Sequence, residues 1–194
     1  LLILLVFFVS GTYLVRPLWF DEALTVQNFA LLDSVQSIYL NYVIPNNQLL
    51  YTMLLHFWIK IYPGLGNIDD WMRLLSLIAA AVTMLYAYRR FRTSYGSGVM
   101  VTVLITFCCA PPFLLHATAL RGYMTGACFT LLALGAALDH AASGKFSAWF
   151  RYFLFSLCSL AVLPSDMLAL GGVFLYVLPC CGKNFLKKKR TWCL

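Results

Sequence analysis

The strongest constraint on this chain is the recurrence of apolar runs separated by short, charge-bearing loops. The runs cover residues 1–15, 49–62, 71–88, 99–115, 123–138, 149–163 and 167–179. Water-soluble domains are about 45–50% apolar and about 25% charged, whereas here 62% of residues are hydrophobic and 11% charged. This pattern predicts an all-α integral membrane protein. An aromatic content of 16% suits a chain with many rings at membrane–water boundaries. The formal charge of +7 raises the question of nucleic acid. The basic residues fall in short loops beside apolar runs, where cytoplasmic Lys and Arg belong, so a nucleic-acid partner is excluded.

Loop charge sets the topology. Arg89, Arg90 and Arg92 form one basic cluster, and Lys183, Lys187, Lys188, Lys189 and Arg190 another. Both are expected to be cytoplasmic. Alternation then places Asp166 outside, Lys145 inside, Arg121 outside, and the start of the 71–88 run outside with Asp69, Asp70 and Arg73. Run 49–62 breaks the alternation. Its residues rise only about 21 Å as a helix, against a hydrocarbon core of about 30 Å. Gln48, Thr52, His56 and Lys60 also recur every fourth residue as one polar stripe. Such a helix lies in the interface or against a watery site. Residues 22–42 read the same way, with Phe29, Leu32, Val35 and Tyr39 on one face and Asn28, Asp33, Ser37 and Asn41 mostly opposite. The expected architecture is a multi-span helical bundle with a long outer loop carrying surface helices. Spans fall near 1–15, 71–88, 97–116, 121–140, 149–163 and 167–181, the outer loop is 16–70, and a basic cytoplasmic tail covers 183–194.

The chain opens at Leu1 inside an apolar run and closes just past a basic cluster, which reads as a piece of a longer membrane protein. No clear small-residue cleavage site marks the first run as a signal peptide. Seven cysteines form no Cys-x-x-Cys pair, so a zinc site is weakly supported. Those within apolar runs act as small apolar residues. Cys180 and Cys181, before the basic tail, read as inert thiols or as a palmitoylated pair.

Four stretches, in order, carry a family resemblance. They are "WFDEA" after the first run, "NNQLLYTMLLHFW", "DDWMRLLSLIAA" and "APPFLLHATALRGYM". Together they resemble the motifs of the GT-C superfamily of lipid-phosphate-sugar glycosyltransferases, in particular the protein O-mannosyltransferases, the aminoarabinose transferase ArnT and Rgt-like transferases. The resemblance covers roughly residues 1–142. Gln48 stands where relatives often have His, Leu49 and Leu50 replace prolines, and Leu75 replaces another.

The resemblance implies inverting sugar transfer from a polyprenyl-phosphate donor to a glycan, lipid or protein acceptor on the extracytoplasmic face. Such transfer needs a base for the acceptor, a holder for the phosphate leaving group and a membrane groove for the lipid. Asp21 matches the family's catalytic aspartate, and Glu22 would orient the acceptor or tune its neighbour's pKa. On residue type alone, both acids equally suit a helix's first turn. Arg73 and Arg121 stand at outer starts of spans. Each is either a bidentate phosphate ligand or a snorkelling anchor. Tyr123 either flanks the phosphate or belongs to an aromatic belt. Asn46, Asn47 and Gln48 would contact the sugar or cap a helix, and Lys60 would touch phosphate or a headgroup. Gly122-x-x-x-Gly126 reads as a helix-packing face. A divalent metal ion bridging the paired acids and a phosphate is chemically compatible, without an identified ligand set. The bacterial cytoplasmic membrane is the favoured location and the endoplasmic reticulum the alternative. Rival readings are a transporter-like protein, which predicts ionisable groups within the spans, and a non-catalytic membrane subunit.

Overall fold

The computed structural model describes Gly11 and residues 16–40 and 48–177. The first expected span (1–15), Asn46, Asn47 and the basic tail lie outside these residues. Every described element is helical. Helix α1 (Phe20–Thr25) runs directly into a π-helical turn, Val26–Ala30. There follow α2 (Val35–Leu40), α3 (Leu49–Lys60), α4 (Ile68–Tyr95), α5 (Ser97–Cys109), α6 (Pro111–Ala117), α7 (Tyr123–Ser143) and α8 (Phe146–Val162). The last described helix is α9 (Pro164–Val177), which opens with a 3-10 turn at Pro164–Asp166.

Local chemistry explains the boundaries. Asn67 caps α4 by accepting the Asp69 amide at 3.1 Å. Asp69 and Asp70 sit in the first turn and Arg92 in the last, matching the helix dipole. Helix α4 ends at Gly96 with φ 84°, and α7 ends at Gly144 with φ 64°, conformations that glycine adopts without steric cost. Between α5 and α6 the chain bends by 73° at Ala110-Pro111. Proline lacks the amide that would continue the helix and pushes its predecessor out of helical geometry. The stretch expected to span near 97–116 is thus a bent pair of helices, Ser97–Cys109 and Pro111–Ala117. The first expected surface helix is likewise interrupted at residues 31–34, before Ser34 accepts the Ser37 amide at the start of α2.

Helices α4 and α7 are long and apolar enough to cross a membrane, and α5 with α6 makes a third if the bent pair counts as one. Helices α3, α8 and α9 are shorter. Helices α4 and α7 run parallel. At one end the Ser76 hydroxyl donates to the Ala119 carbonyl, 2.6 Å away, just ahead of α7. At the other, Arg90 pairs with Asp139 at 2.8 Å. From Arg73 to Arg90 the helix rises about 25 Å, close to the thickness of a hydrocarbon core. Between these charges, residues 74–88 of α4 contain no Asp, Glu, Lys or Arg. Leu77, Ala80 and Met84 of α4 pack with Met100, Leu104 and Phe113 of the broken pair. Ala133, Ala136 and Ala137 of α7 pack with Tyr152 of α8 and Leu170 and Val177 of α9.

Helix α3 reverses one expectation. Its polar stripe does not face water: Gln48, Thr52 and His56 are buried, Lys60 is exposed, and Leu54, Phe57 and Ile61 point outward. The inward face meets backbone groups that need partners, so polar side chains are useful there. His56 Nδ1 donates to the Ala30 carbonyl at 2.9 Å, in the π-helical turn. At its far end, α3 is stapled to α4 by Trp58 and Trp71. Their rings stack at 4.6 Å, and each indole N–H donates to the other residue's carbonyl at 2.7 and 2.9 Å.

The Gly122-x-x-x-Gly126 packing face is present. A Cβ at Gly122 would lie 2.5 Å from Val162 Cγ1 and 2.9 Å from Tyr51 Cβ, and one at Gly126 would lie 2.9 Å from Asp166 Oδ2. Gly122→Ala is expected to lower stability by about 1–3 kcal/mol through overpacking. Gly98→Ala, with nothing within 4 Å of its Cβ, should be neutral or mildly stabilising. Thermal unfolding of both variants in detergent checks the contrast.

Candidate functional site

The site is built around a loop that ought to be on the surface. Residues 118–122 join α6 to α7, and only the end residues share helical hydrogen bonds, the Thr118 amide to Leu114 and the Gly122 carbonyl from Gly126, yet Thr118, Ala119, Leu120, Arg121 and Gly122 are all buried. Each buried backbone amide and carbonyl requires a partner. Three separate segments supply them. Glu22 Oε1 accepts the Leu120 amide at 2.9 Å. Gln48 Oε1 accepts the Gly122 amide. Ser76 donates to the Ala119 carbonyl and therefore receives its own hydrogen bond from Tyr51, at 2.9 Å. Burial pushes the Tyr51 hydroxyl well above its ordinary pKa, so it stays a neutral donor.

Glu22 is the centre of this arrangement. Only 1% of its side chain is exposed. Oε1 receives Arg16 at 3.0 Å as well as the Leu120 amide, and Oε2 receives the Trp19 amide at 3.0 Å and Arg73 at 3.4 Å. Its lone pairs are taken. As the third residue of α1 it reaches back to the helix's own N-cap, the geometry of a capping box. Glu22 is expected to orient an acceptor or tune its neighbour's pKa; the contacts it makes here all run to protein groups. Arg73 is drawn into the same arrangement. Its side chain is fully buried, with its terminal nitrogen on Glu22 and on the Pro17 carbonyl at 3.3 Å. Its guanidinium is thereby tied to α1 and to the segment before it.

Asp21 and Arg121 differ from that inner pair. Arg121 NH2 lies 2.7 Å from Asp21 Oδ2, with 6% of the arginine side chain exposed and 57% of the aspartate. A buried stem thus delivers a guanidinium to an open carboxylate at the rim. Three guanidiniums, Arg16, Arg73 and Arg121, pair with two carboxylates, and Asp69 and Asp70 stand close enough to act on Arg73 as well. Tyr123, the first residue of α7, packs edge-on against His116 at 4.8 Å. Lys60 stands exposed in the last turn of α3, away from the acids. Gln48 serves the loop backbone. Arg16, Tyr51 and Ser76 were not singled out by sequence reasoning. The available signals were Arg16 at the head of "RPLWFDEA" and Ser76 one turn after Arg73.

Two grooves lie near the cluster. One, of about 240 Å³, is lined by Leu18, Ala23, Val26, Gln27, Asp69 and Met72 among others. The second, of about 500 Å³, lies between Tyr39, Leu40, Leu49, Leu160, Ala161 and Pro164. Among the described residues no three His, Cys, Asp or Glu side chains group to hold a metal ion. With Glu22 saturated, the paired acids do not fit a bridging divalent cation. No protein-family model, curated protein or solved structure matches this chain.

The two adjacent acids should separate cleanly in stability. Glu22→Gln leaves two buried guanidiniums short of a charge and is expected to cost about 3–5 kcal/mol. Asp21→Asn removes a largely exposed partner and should cost about 1 kcal/mol or less. Denaturant unfolding of purified protein in detergent reads both.

Proposed function

We propose that this chain is the membrane domain of a GT-C-like glycosyltransferase, moving a sugar from a polyprenyl-phosphate donor to an acceptor on the extracytoplasmic side of a multi-span helical bundle. The bacterial cytoplasmic membrane is the favoured setting and the endoplasmic reticulum the alternative. The observation that carries the reading is the Asp21–Arg121 pair: an open carboxylate held 2.7 Å from a guanidinium rooted in a braced, buried loop. Four separated sequence motifs converge there.

The chemistry follows from that geometry. A donor phosphate competes with Asp21 for the Arg121 fork, which binds planar oxyanions bidentately. Once displaced, Asp21 is free to accept the proton of the acceptor hydroxyl or amine. The acceptor atom attacks the sugar's anomeric carbon from the face opposite the phosphate, the bond from that carbon to phosphate oxygen breaks, and the configuration inverts. The leaving phosphate keeps the electron pair, and Arg121 stabilises its charge. Arg73, Arg16 and Glu22 hold the loop and take no part in bond changes.

Charge placement argues against a transporter. Apart from Arg89, the α4 segment between Arg73 and Arg90 is free of Asp, Glu, Lys and Arg, as is α7 from Tyr123 to Leu138. Charges gather at the two ends, whereas transport pathways place ionisable groups near the midplane. A non-catalytic subunit is favoured by one observation, the full occupation of Glu22 by its own protein.

The test is transfer from a radiolabelled polyprenyl-phosphate sugar in proteoliposomes. Asp21→Asn should lower turnover about 10²–10⁴-fold, the usual cost of losing a general base, with donor binding intact. Arg121→Lys should weaken donor use, because an ammonium cannot reproduce a planar fork. Unchanged turnover in Asp21→Asn would leave the pair as a helix cap and an anchor.

A further inference from the structure

We propose that α3 is seated in lipid, with its Leu54–Phe57–Ile61 face among the acyl chains of the leaflet at the Arg73 end of the bundle and the Lys60 ammonium at the phosphate layer. The three apolar residues are spaced three and four apart and so share one face of the helical path. Phe57 is 55% exposed and Ile61 62% exposed, while Thr52 and His56, on the other face, are buried. Folding in water arranges the opposite polarity, with the apolar stripe inward. The inward face buries Tyr51 and Leu55 as well, so what needs explaining is the burial of polar Thr52 and His56 while large apolar side chains stay outside; an apolar medium around the helix and backbone groups to satisfy within it explain both.

Position supports the same occupant. Tyr51 of α3 bonds Ser76, and Trp58 stacks on Trp71. Helix α3 therefore runs antiparallel to the opening turns of α4, a helix long and apolar enough to cross a membrane. Further along α4, Ile78 and Val82 are also exposed apolar side chains. Its 12 residues rise about 18 Å, enough for one leaflet but short of the core. Lys60 stands in the last turn between Phe57 and Ile61, where its methylene stem lies along apolar surface and its charge reaches the headgroups. Trp19 and Phe20, also exposed, extend the same apolar character onto α1.

The proposal does not depend on sugar transfer, and its test uses no donor. The full chain, carrying the photoreactive residue p-benzoylphenylalanine at position 57, 61 or 33, is reconstituted in phosphatidylcholine vesicles and irradiated. Mass spectrometry then identifies what is attached. Positions 57 and 61 should give phospholipid adducts at least several-fold above position 33, which replaces exposed Asp33 in the loop before α2. Attachment to a second copy of the chain at 57 and 61 would overturn the proposal in favour of a dimer interface. Phospholipid yields at 57 and 61 no higher than at 33 would place α3 in water and overturn it equally.

Discussion

A carboxylate withdrawn from water costs several kcal/mol unless its lone pairs are given donors and its charge a counterpart. Glu22 receives two guanidiniums and two backbone amides, drawn from residues 16, 19, 73 and 120. That single side chain ties the segment before α1, the first turns of α4 and the loop before α7 into one block. Removing any partner leaves charge stranded in a buried place. The same residues that complete Glu22 thereby fix where Arg121 emerges.

The rest of the architecture follows from keeping charge at the ends. Helices α4 and α7 share a polar block at their starts and an Arg90–Asp139–Arg151 set at their finishes, with Arg151 at 3.4 Å from Asp139. Their middles pack through small and apolar side chains, where Gly135 leaves room for Tyr86. The buried loop 118–122 is made tolerable by Glu22, Gln48 and Ser76, and it is this loop that carries Arg121 outward to Asp21. A buried acid held by protein groups, Glu22, and an open acid on Arg121, Asp21, thus stand side by side in the chain.

Much of the helical layout was legible. The apolar runs at 71–88, 123–138 and 149–163 fall within α4, α7 and, apart from Leu163, α8, because long apolar stretches without proline satisfy their backbone most economically as helix, and the glycines in α7 serve close packing rather than a break. The break at Ala110-Pro111 was visible as a Pro-Pro pair, but hydropathy is blind to a missing amide and ran 97–116 together as one span. Periodicity found the polar stripe of α3 yet assigned it to water, since period alone does not say which face a medium covers. On residue type alone Glu22 and Asp21 suited the same first-turn position, and only the family resemblance gave them different tasks. Their difference is set by Arg73 and Leu120, 51 and 98 residues away. The tripartite grip on loop 118–122 is a tertiary fact with no local signature.

The division of labour between the two acids is tested most directly by backbone hydrogen exchange at the loop they flank. Amide exchange of Leu120 and Gly122 would be followed in the parent chain, in Glu22→Gln and in Asp21→Asn. Strong protection in the parent and in Asp21→Asn, with Leu120 deprotected by at least about tenfold in Glu22→Gln, is the predicted result, since one lost buried hydrogen bond of about 1.4 kcal/mol opens exchange tenfold. Equal protection of Leu120 in all three proteins would contradict the account, because Glu22 would then not be what holds the loop.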